Sequence, residues 1–345
     1  MLREQGECVL PYLDKVQSIR PALGSHSALG FLSFSLLVLS ACSSHHREIA
    51  LLTPTSGNPI WDAVHTGAVV EAHGCGLKVH YDAPPRSDDL RAQLELFKQL
   101  SDAGYGAIII APIQERALRD PIRRAAAAGI PIIVIGTDLG IQDPNLTYIL
   151  NDEEAGGRLA ADKIGELLDG KGNVAVMGTD LTSPSMLQRE RAFEQELSIR
   201  YPEVRVVQRE RGSKNLFEEQ QSAEQLLLDN SDTIDAIVAL SSFATRGALY
   251  ALDTGHWKHR IRLIGFDQDL MLPLQDGRLD AVIAVKSNDI GRLGSQLACE
   301  HLEGKAWAGG HSVTPFLITS SNINSAEVVT QIYDSQWWEF ADENK

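Results

Sequence analysis

The chain has few of the residues that build disulfide frameworks, metal centres or nucleic-acid-binding surfaces. It contains only four cysteines in 345 residues, and the closest two in sequence, Cys42 and Cys75, are too far apart for a CxxC pair. Lysines and arginines together number 31, against 46 aspartates and glutamates, which gives a formal net charge of −15. Because phosphate groups are bound by basic surfaces, this acidic balance argues against a nucleic-acid partner.

The sequence also lacks the signatures of the common enzyme sites. It contains no GxGxxG, GxSxG or HExxH segment, and Gly165-x4-Gly170-Lys171 is followed by Gly172, where a phosphate-binding loop needs serine or threonine. Nothing in the pattern assembles a nucleophile, a base and an oxyanion hole. We therefore predict a binding protein with no catalytic residue, no metal site and no cofactor. The enzyme alternative is a glycosidase that pairs Asp267 with a second carboxylate.

No apolar run is long enough to cross a bilayer, which takes about 20 residues. The run Ala28–Ser40 leads to Ala41 and Cys42, and an apolar stretch that ends at small residues is typical of a secretory signal. With a cysteine directly after the cleavage position, the segment resembles a bacterial lipobox. It implies a signal peptide over 1–41, lipidation of Cys42, a tether over 42–47, and an exported periplasmic or cell-envelope protein anchored to the membrane through its lipid. The alternative is a buried helix over Leu29–Leu39 of a cytosolic protein.

From Glu48 onward, short apolar strands alternate with helical segments. The predicted strands are Ile49–Thr53, Lys78–Tyr81, Ala107–Ile110, Ile132–Ile135, Thr147–Leu150, Val174–Met177, Val204–Gln208, Ala236–Leu240, Arg262–Gly265 and Ala281–Val285. Strands that are apolar throughout are buried on both faces, as in a parallel sheet covered by helices. The pattern predicts an α/β fold with two doubly wound parallel-sheet lobes and a shared hinge. A closed (β/α)₈ barrel is the competing fold.

Cys75 and Cys299 are the two cysteines that remain in the predicted mature chain besides Cys42. An oxidising compartment permits a disulfide between them. The sequence does not show how close they lie in space, and bond formation requires a short distance. We expect two buried thiols, with the disulfide as the alternative.

In open α/β sheets, ligands bind beyond the carboxyl ends of the strands, and several apolar runs end there in polar residues. Together, in their order and spacing, these runs resemble a type I periplasmic binding protein of the ribose-binding kind, over about residues 48–321. The runs are Ile49-Ala-Leu-Leu-Thr-Pro-Thr-Ser-Gly-Asn-Pro-Ile-Trp61, Ala107-Ile-Ile-Ile-Ala-Pro112, Ala128-Gly-Ile-Pro-Ile-Ile-Val-Ile135, Arg189-Glu-Arg191, Thr245-Arg-Gly247 and Leu263-Ile-Gly-Phe-Asp267.

The resemblance implies a cleft between two lobes that closes on one small solute, usually a sugar, and an ABC permease that receives it. It implies a first lobe over 48–150 with 286–311, a second lobe over 151–285 with 312–330, and a C-terminal tail over 331–345. Three crossings of the chain would form the hinge. They are expected near Leu150–Asp152, Val285–Ser287 and Gly310–Val313.

The resemblance also implies the ligand-binding residues. Asn58 matches an asparagine that bonds sugar hydroxyls, and Ile60 and Trp61 match two aromatics that pack on the sugar ring. An indole face suits the apolar C–H face of a sugar. Arg189 matches a ligand-binding arginine of the second lobe, and Asp267 matches an aspartate that accepts from two hydroxyls. Charge-assisted hydrogen bonds of these types are strong and directional.

Four further ligand positions depart from the pattern of the sugar binders. Gln114 stands in place of an acidic residue, Asn151 in place of a small hydroxyl residue, Ser241 in place of an asparagine, and Val285 in place of a glutamine. A ribose bound at such a site would leave several hydroxyls without partners, at about 1–3 kcal/mol for each buried group. The departures therefore disfavour ribose and leave another sugar, a polyol or a quorum-signal molecule open.

Three functions are compatible with such a fold. We expect a lipoprotein that binds a carbohydrate-like solute and delivers it to an ABC importer, and the alternative is a sensor that presents its closed form to a membrane kinase or chemoreceptor. A transcription factor of the lactose-repressor type would need a basic helix-turn-helix before the first strand, where this chain has the apolar run and the tether. The third function is therefore disfavoured.

Overall fold

The computed structural model describes residues 47–333, apart from 182, 214, 256, 258 and 308. The predicted signal peptide, Cys42 and the predicted tail beyond residue 333 lie outside the described residues. Within the described ranges, no helix has the length and apolar character needed to cross a membrane.

Strands and helices alternate through most of this range. The strands are β1 (Glu48–Leu52), β2 (Lys78–Asp82), β3 (Ile108–Ile110), β4 (Ile132–Ile135), β5 (Leu146–Asn151), β6 (Lys171–Thr179), β7 (Glu203–Arg211), β8 (Ala236–Ala239), β9 (Arg262–Gly265), β10 (Ala281–Ala284), β11 (His311–Val313) and β12 (Phe316–Ile318). The helices are α1 (Pro59–Gly74), α2 (Leu90–Ala103), α3 (Glu115–Ala127), α4 (Glu153–Leu167), α5 (Pro184–Arg200), α6 (Leu216–Asn230), α7 (Ser242–Thr254), α8 (Met271–Gln275), α9 (Ser287–Leu302) and α10 (Ala326–Tyr333).

The strands form two six-stranded sheets with matching topology. Sheet A has the order β11-β5-β4-β3-β1-β2, and sheet B has the order β12-β10-β9-β8-β6-β7. All pairs are parallel except β10 with β12. The two-lobe, doubly wound α/β fold is thus confirmed, and the alternative of a closed barrel is wrong because the sheets are open and separate.

Apolar residues on both faces of each sheet explain why the strands read as continuous hydrophobic runs. In sheet A, Ile109 and Ile133 face one buried cluster, whereas Ile108 and Ile132 face another. All four side chains are completely buried. Because successive side chains of a strand point to opposite faces, only a sheet covered by helices on both sides can bury them all.

Helices α1 and α9 pack closely on one face of sheet A because glycines lie at their contact. A Cβ atom at Gly67 would lie 2.1 Å from the carbonyl oxygen of Asn288, and one at Gly291 would lie 1.9 Å from that of Val64. No real Cβ contact is that short, so this helix pair requires glycine at both positions.

A disulfide between Cys75 and Cys299 joins this same helix pair. Cys75 follows the last residue of α1, Cys299 lies in the last turn of α9, and their Cα atoms are 6.5 Å apart. The expectation of two free thiols is therefore wrong. The two cysteines are separated by 224 positions in sequence, and the glycine-mediated contact of α1 with α9 brings them together.

The chain passes between the two sheets at three places. It leaves sheet A after Asn151, leaves sheet B after Ala284, and passes from Val313 of sheet A to Phe316 of sheet B. The last passage begins where the predicted third crossing, 310–313, ends.

Helix α10 packs beside these passages. Val328 and Ile332 belong to the core of sheet B. On the side of α9, Gln331 donates to Asp289 at 2.7 Å and Lys286 pairs with Glu327 at 2.9 Å. Helix α10 therefore contacts the core of sheet B and the first turn of α9, which covers sheet A.

Candidate functional site

The predicted site residues follow the carboxyl ends of strands in both sheets. Asn58, Gln114 and Asn151 come after, or at the end of, strands β1, β3 and β5 of sheet A. Ser241, Asp267 and Val285 come after strands β8, β9 and β10 of sheet B. These edges are where ligands bind in open α/β sheets.

Asp267 is a buried carboxylate at the carboxyl edge of sheet B. Its side chain is only 2% exposed, and Oδ2 accepts from Nε of Arg246 at 2.5 Å. Its Oδ1 accepts from Nη2 of Arg246 at 3.3 Å and from the backbone N–H of Asp269 at 3.1 Å. Nη2 of Arg246 also donates to Asp269 at 3.0 Å. Arg246, on the second turn of α7, therefore forms a charged cluster with Asp267 and Asp269.

Burial raises the pKa of the Asp267 carboxyl above its usual range, and the hydrogen bonds and charge of Arg246 oppose that shift. The guanidinium supplies the compensating charge that an ionised, buried carboxylate needs.

Arg189 lies on α5, and its guanidinium is engaged by other protein groups. Nε and Nη2 donate to Glu153 at 2.7 and 2.5 Å, and Nη1 donates to the carbonyl oxygen of Leu240. The guanidinium carbon also lies 4.1 Å from the ring centroid of Phe266, in a cation–π contact. These bonds use three of the five N–H groups of the arginine. Arg189 thereby ties the starts of α4 and α7 to the residue before Asp267.

Trp61 and Gln114 line a pocket of about 590 Å³. Its walls come from the loops after β1, β3 and β4 of sheet A and from Asp180, Ser183 and Met186, which follow β6 of sheet B. Trp61 is partly buried and packs against the core of sheet A, and Gln114 is exposed at the start of α3. The full lining is Pro54, Trp61, Ala111, Pro112, Ile113, Gln114, Glu115, Arg116, Ile135, Gly136, Thr137, Asp180, Ser183 and Met186.

Two predicted ligand residues cap helices. Oδ1 of Asn58 accepts from the backbone N–H of Ile60 at 2.9 Å at the start of α1. Oγ of Ser241 accepts from the N–H of Ala244 at 3.1 Å at the start of α7. Ile60 itself is partly buried in the first turn of α1. Capping uses one acceptor oxygen of each side chain. The amide N–H groups of Asn58 and the O–H group of Ser241 can therefore still donate hydrogen bonds.

The two predicted residues at the passages between sheets differ in their contacts. Oδ1 of Asn151 is buried and has no hydrogen-bond partner among the residues that the structure describes. The backbone N–H of Val285 donates to Oε1 of buried Gln268 at 2.9 Å, and Nε2 of Gln268 donates to Ser287 at 3.1 Å. Gln268 therefore links the end of β9 to the passage after β10.

Sequence reasoning identified part of this arrangement and missed part of it. It did not identify Arg246, Asp269, Glu153 or Gln268 as site residues. The sequence does place two acidic residues, Asp267 and Asp269, at one strand end, and such a pair indicates a cationic side chain nearby. The cationic side chain is that of Arg246, which lies on a helix 21 positions before Asp267. In the part of the chain that the structure describes, no cluster of three or more histidine, cysteine, aspartate or glutamate side chains is arranged to hold a metal ion.

The chain is similar in sequence to known binding proteins. A family model described as a periplasmic binding protein domain matches residues 49–306. The ribose import binding protein of Bacillus subtilis (strain 168) is 27% identical over 291 residues, which cover 79% of this chain and 92% of that protein. The D-allose-binding periplasmic protein of Escherichia coli (strain K12) is 24% identical over 271 residues, which cover 76% of this chain and 86% of that protein.

Solved structures share the fold. The arabinose binding protein from Geobacillus stearothermophilus matches with a TM-score of 0.75 at 21% identity, over 81% of this chain and 98% of that structure. Members of the matched family are binding proteins, so the prediction of a binding protein rather than an enzyme is confirmed. Since the family model matches most of the chain, the chain belongs to the periplasmic binding protein family, and it has the type I fold expected from the sequence.

Proposed function

We propose that this protein binds a sugar or sugar-like molecule between two lobes and delivers it to an ABC permease. The observation that carries the proposal is the pocket of about 590 Å³ whose walls come from the carboxyl edges of both sheets. A cavity of this size suits a small solute. Relatives named for ribose import and for D-allose binding support a carbohydrate as that solute.

The lobes in this proposal are residues 48–150 with 286–311 and residues 151–285 with 312–330. The three passages between the sheets would act as the hinge, and closure would bring the two edges together around the solute. The solute drives closure because it binds the closed form more tightly than the open form.

Each lobe contributes a different part of the recognition. In the first lobe, the indole of Trp61 would pack on the C–H face of a sugar ring, and the amides of Asn58 and Gln114 would bond hydroxyls. In the second lobe, Asp267 would accept from a hydroxyl, and the hydroxyl of Ser241 and the two unused N–H groups of Arg189 would donate to solute oxygens. Ile60, Asn151 and Val285 would line the cleft and the hinge beside them.

Export and anchoring belong to the same proposal. The segment Leu39-Ser40-Ala41-Cys42 supports cleavage before Cys42, lipidation of that residue and a position at the outer side of a membrane. Expression of the full chain in a bacterial host tests this part. The wild-type protein should fractionate with membranes and Cys42→Ser should not, whereas equal fractionation of the two would refute the anchor.

Thermal melting of the chain from Ser43 onward, against a panel of pentoses, hexoses, polyols and sugar acids, tests the binding function. A ligand present at 100 times its dissociation constant stabilises the native state by about 2.7 kcal/mol. The stabilisation should be lost in Asp267→Asn and in Trp61→Ala. It should be kept in Asp276→Asn, a matched control in which the replaced carboxylate is exposed and paired with Arg278. A panel without any stabilising solute, or hits that survive both site substitutions, would refute the proposal.

A further inference from the structure

We propose that Arg246 sets the specificity of the Asp267 subsite by leaving that carboxylate with one free acceptor position. The inference rests on the proposed function, because it requires that Asp267 contacts the solute. It assigns a role to a residue outside the set that the sequence predicted, and it narrows the class of solute.

Counting hydrogen bonds at Asp267 gives the number of free positions. An ionised carboxylate has about four acceptor positions, two on each oxygen. On Oδ1, Nη2 of Arg246 and the N–H of Asp269 occupy both positions, at 3.3 and 3.1 Å. On Oδ2, Nε of Arg246 occupies one position at 2.5 Å. One position remains, on Oδ2, so the carboxylate can accept from a single solute hydroxyl.

Arg246 also offers donors at the same place. Its Nε and Nη2 are engaged, whereas Nη1 has no hydrogen-bond partner within the described ranges of the chain. The Arg246 side chain is 39% exposed, against 2% for Asp267, so the guanidinium is the more accessible of the two groups. One hydroxyl can therefore donate to Oδ2 of Asp267 and accept from Nη1 of Arg246.

The sugar carbon next to the one that carries this hydroxyl needs no hydroxyl of its own for binding at Asp267. A second hydroxyl there would find the acceptor positions of Asp267 occupied, and leaving a polar group unpaired in a closed cleft weakens binding. The subsite therefore fits a neutral sugar or polyol in which one hydroxyl is flanked by a deoxygenated or substituted carbon, such as a deoxy sugar.

The test compares affinities for matched pairs of sugars, each pair consisting of an aldopentose or aldohexose and its monodeoxy analogues. Calorimetric titration is done on the wild-type protein and on Arg246→Leu, which frees two acceptor positions of Asp267 and raises the number of free positions from one to three. The variant Arg246→Lys serves where the leucine variant does not fold, because one ammonium group cannot cover both carboxylate oxygens. The control is Arg278→Leu, which removes a similarly exposed arginine that pairs with Asp253 and Asp276.

We expect wild type and Arg278→Leu to bind at least one monodeoxy sugar within about threefold of its parent. In Arg246→Leu or Arg246→Lys, the parent should be preferred by about tenfold or more, since hydrogen bonds to charged groups are the stronger kind. A ratio of parent to analogue that is the same in wild type and the Arg246 variants would overturn the inference while leaving the proposed function intact. If binding persists in Asp267→Asn but is lost in Trp61→Ala, the inference is wrong and the proposed function stands. If no sugar binds, or if binding persists in both variants, both the inference and the proposed function are wrong.

Discussion

Removal of the Cys75–Cys299 disulfide is expected to lower the free energy of unfolding substantially. The bond links two residues that are 224 positions apart. In the chain-entropy model, closing a loop of that length restricts the unfolded chain by roughly 5 kcal/mol at 25 °C. If the second lobe stays folded when the first unfolds, the flexible loop is shorter. The estimate then falls by less than about 1 kcal/mol, because the closure entropy grows only with the logarithm of loop length.

The measurement is urea unfolding of the chain from Ser43 onward, in which Cys75 and Cys299 are the only cysteines. The double variant Cys75→Ala/Cys299→Ala should lose about 2–5 kcal/mol, the range observed for native disulfides. Reduced wild type is the control, because it keeps both side chains and loses only the bond. Solute affinity should stay within about twofold, since Trp61 lies 14 residues before Cys75, or about 21 Å along α1. A loss below about 1 kcal/mol, or two titratable thiols in the unreduced protein, would refute the reasoning.

Three further changes test how the fold supports the site. Burial lowers the pKa of His65 from 6.5 to about 4, so the unfolded chain takes up the proton first as the pH falls. Stability should drop by about 3 kcal/mol between pH 6.5 and pH 4, and His65→Phe should remove that part of the slope in unfolding curves recorded across this range. Gly291→Ala should lower the free energy of unfolding by about 1–3 kcal/mol, because the added Cβ would overlap the carbonyl oxygen of Val64. Gln93→Leu should cost about 1–3 kcal/mol for each buried backbone group it leaves unpaired, and it should weaken solute binding in titration, since Gln93 bonds Ala111 and Ile113 in the loop before Gln114.

Each of these changes has its own control and contradicting result. For His65→Phe, a wild-type slope that persists in the variant would assign the acid sensitivity to other groups. For Gly291→Ala, the control is Gly74→Ala near the end of α1, where an added Cβ meets nothing within 4 Å and stability should not fall. Equal melting temperatures for the two alanine variants would contradict the close packing of α1 on α9. For Gln93→Leu, an unchanged dissociation constant would show that the loop after β3 does not depend on this side chain.

The central strands could be predicted from the sequence because their signal is local. A run such as Ile132–Ile135 is apolar at every position, and only burial on both faces of a sheet explains such a run. Strands β11 and β12 have three residues each and were not predicted. His311 and Ser312 are polar, and β11 forms because the chain is held beside β5 after crossing from the other sheet. Tertiary position, rather than residue type, determines β11, whereas β12 is apolar but too short to be recognised as a strand.

The candidate site was predictable by position but not by contact. Asp267 could be placed at a strand end from the run that precedes it, since strand ends are where such folds bind ligands. Its pairing with Arg246 could not be predicted, because β8, α7 and β9 must first assemble to bring residues 21 positions apart into contact. The same limit applied to Cys75 and Cys299. Sequence patterns report which surface a residue occupies, whereas pair contacts across elements depend on how those elements dock.

Helix capping and the proposed ligand binding use the same positions in this architecture, and that overlap explains why residue type alone could not separate the two roles. A parallel strand that leads into a helix does so at its carboxyl edge, so the residue between them caps the helix at the edge where we propose that the solute binds. Asn58 and Ser241 have this double position, and each uses one oxygen for the cap. Their remaining hydrogen-bonding groups are held in fixed directions by the cap itself. In the proposed binding mode, the bonds that begin the helices also orient the polar groups that a solute would meet. The stability of those helix ends and the recognition of the solute would then depend on the same side chains.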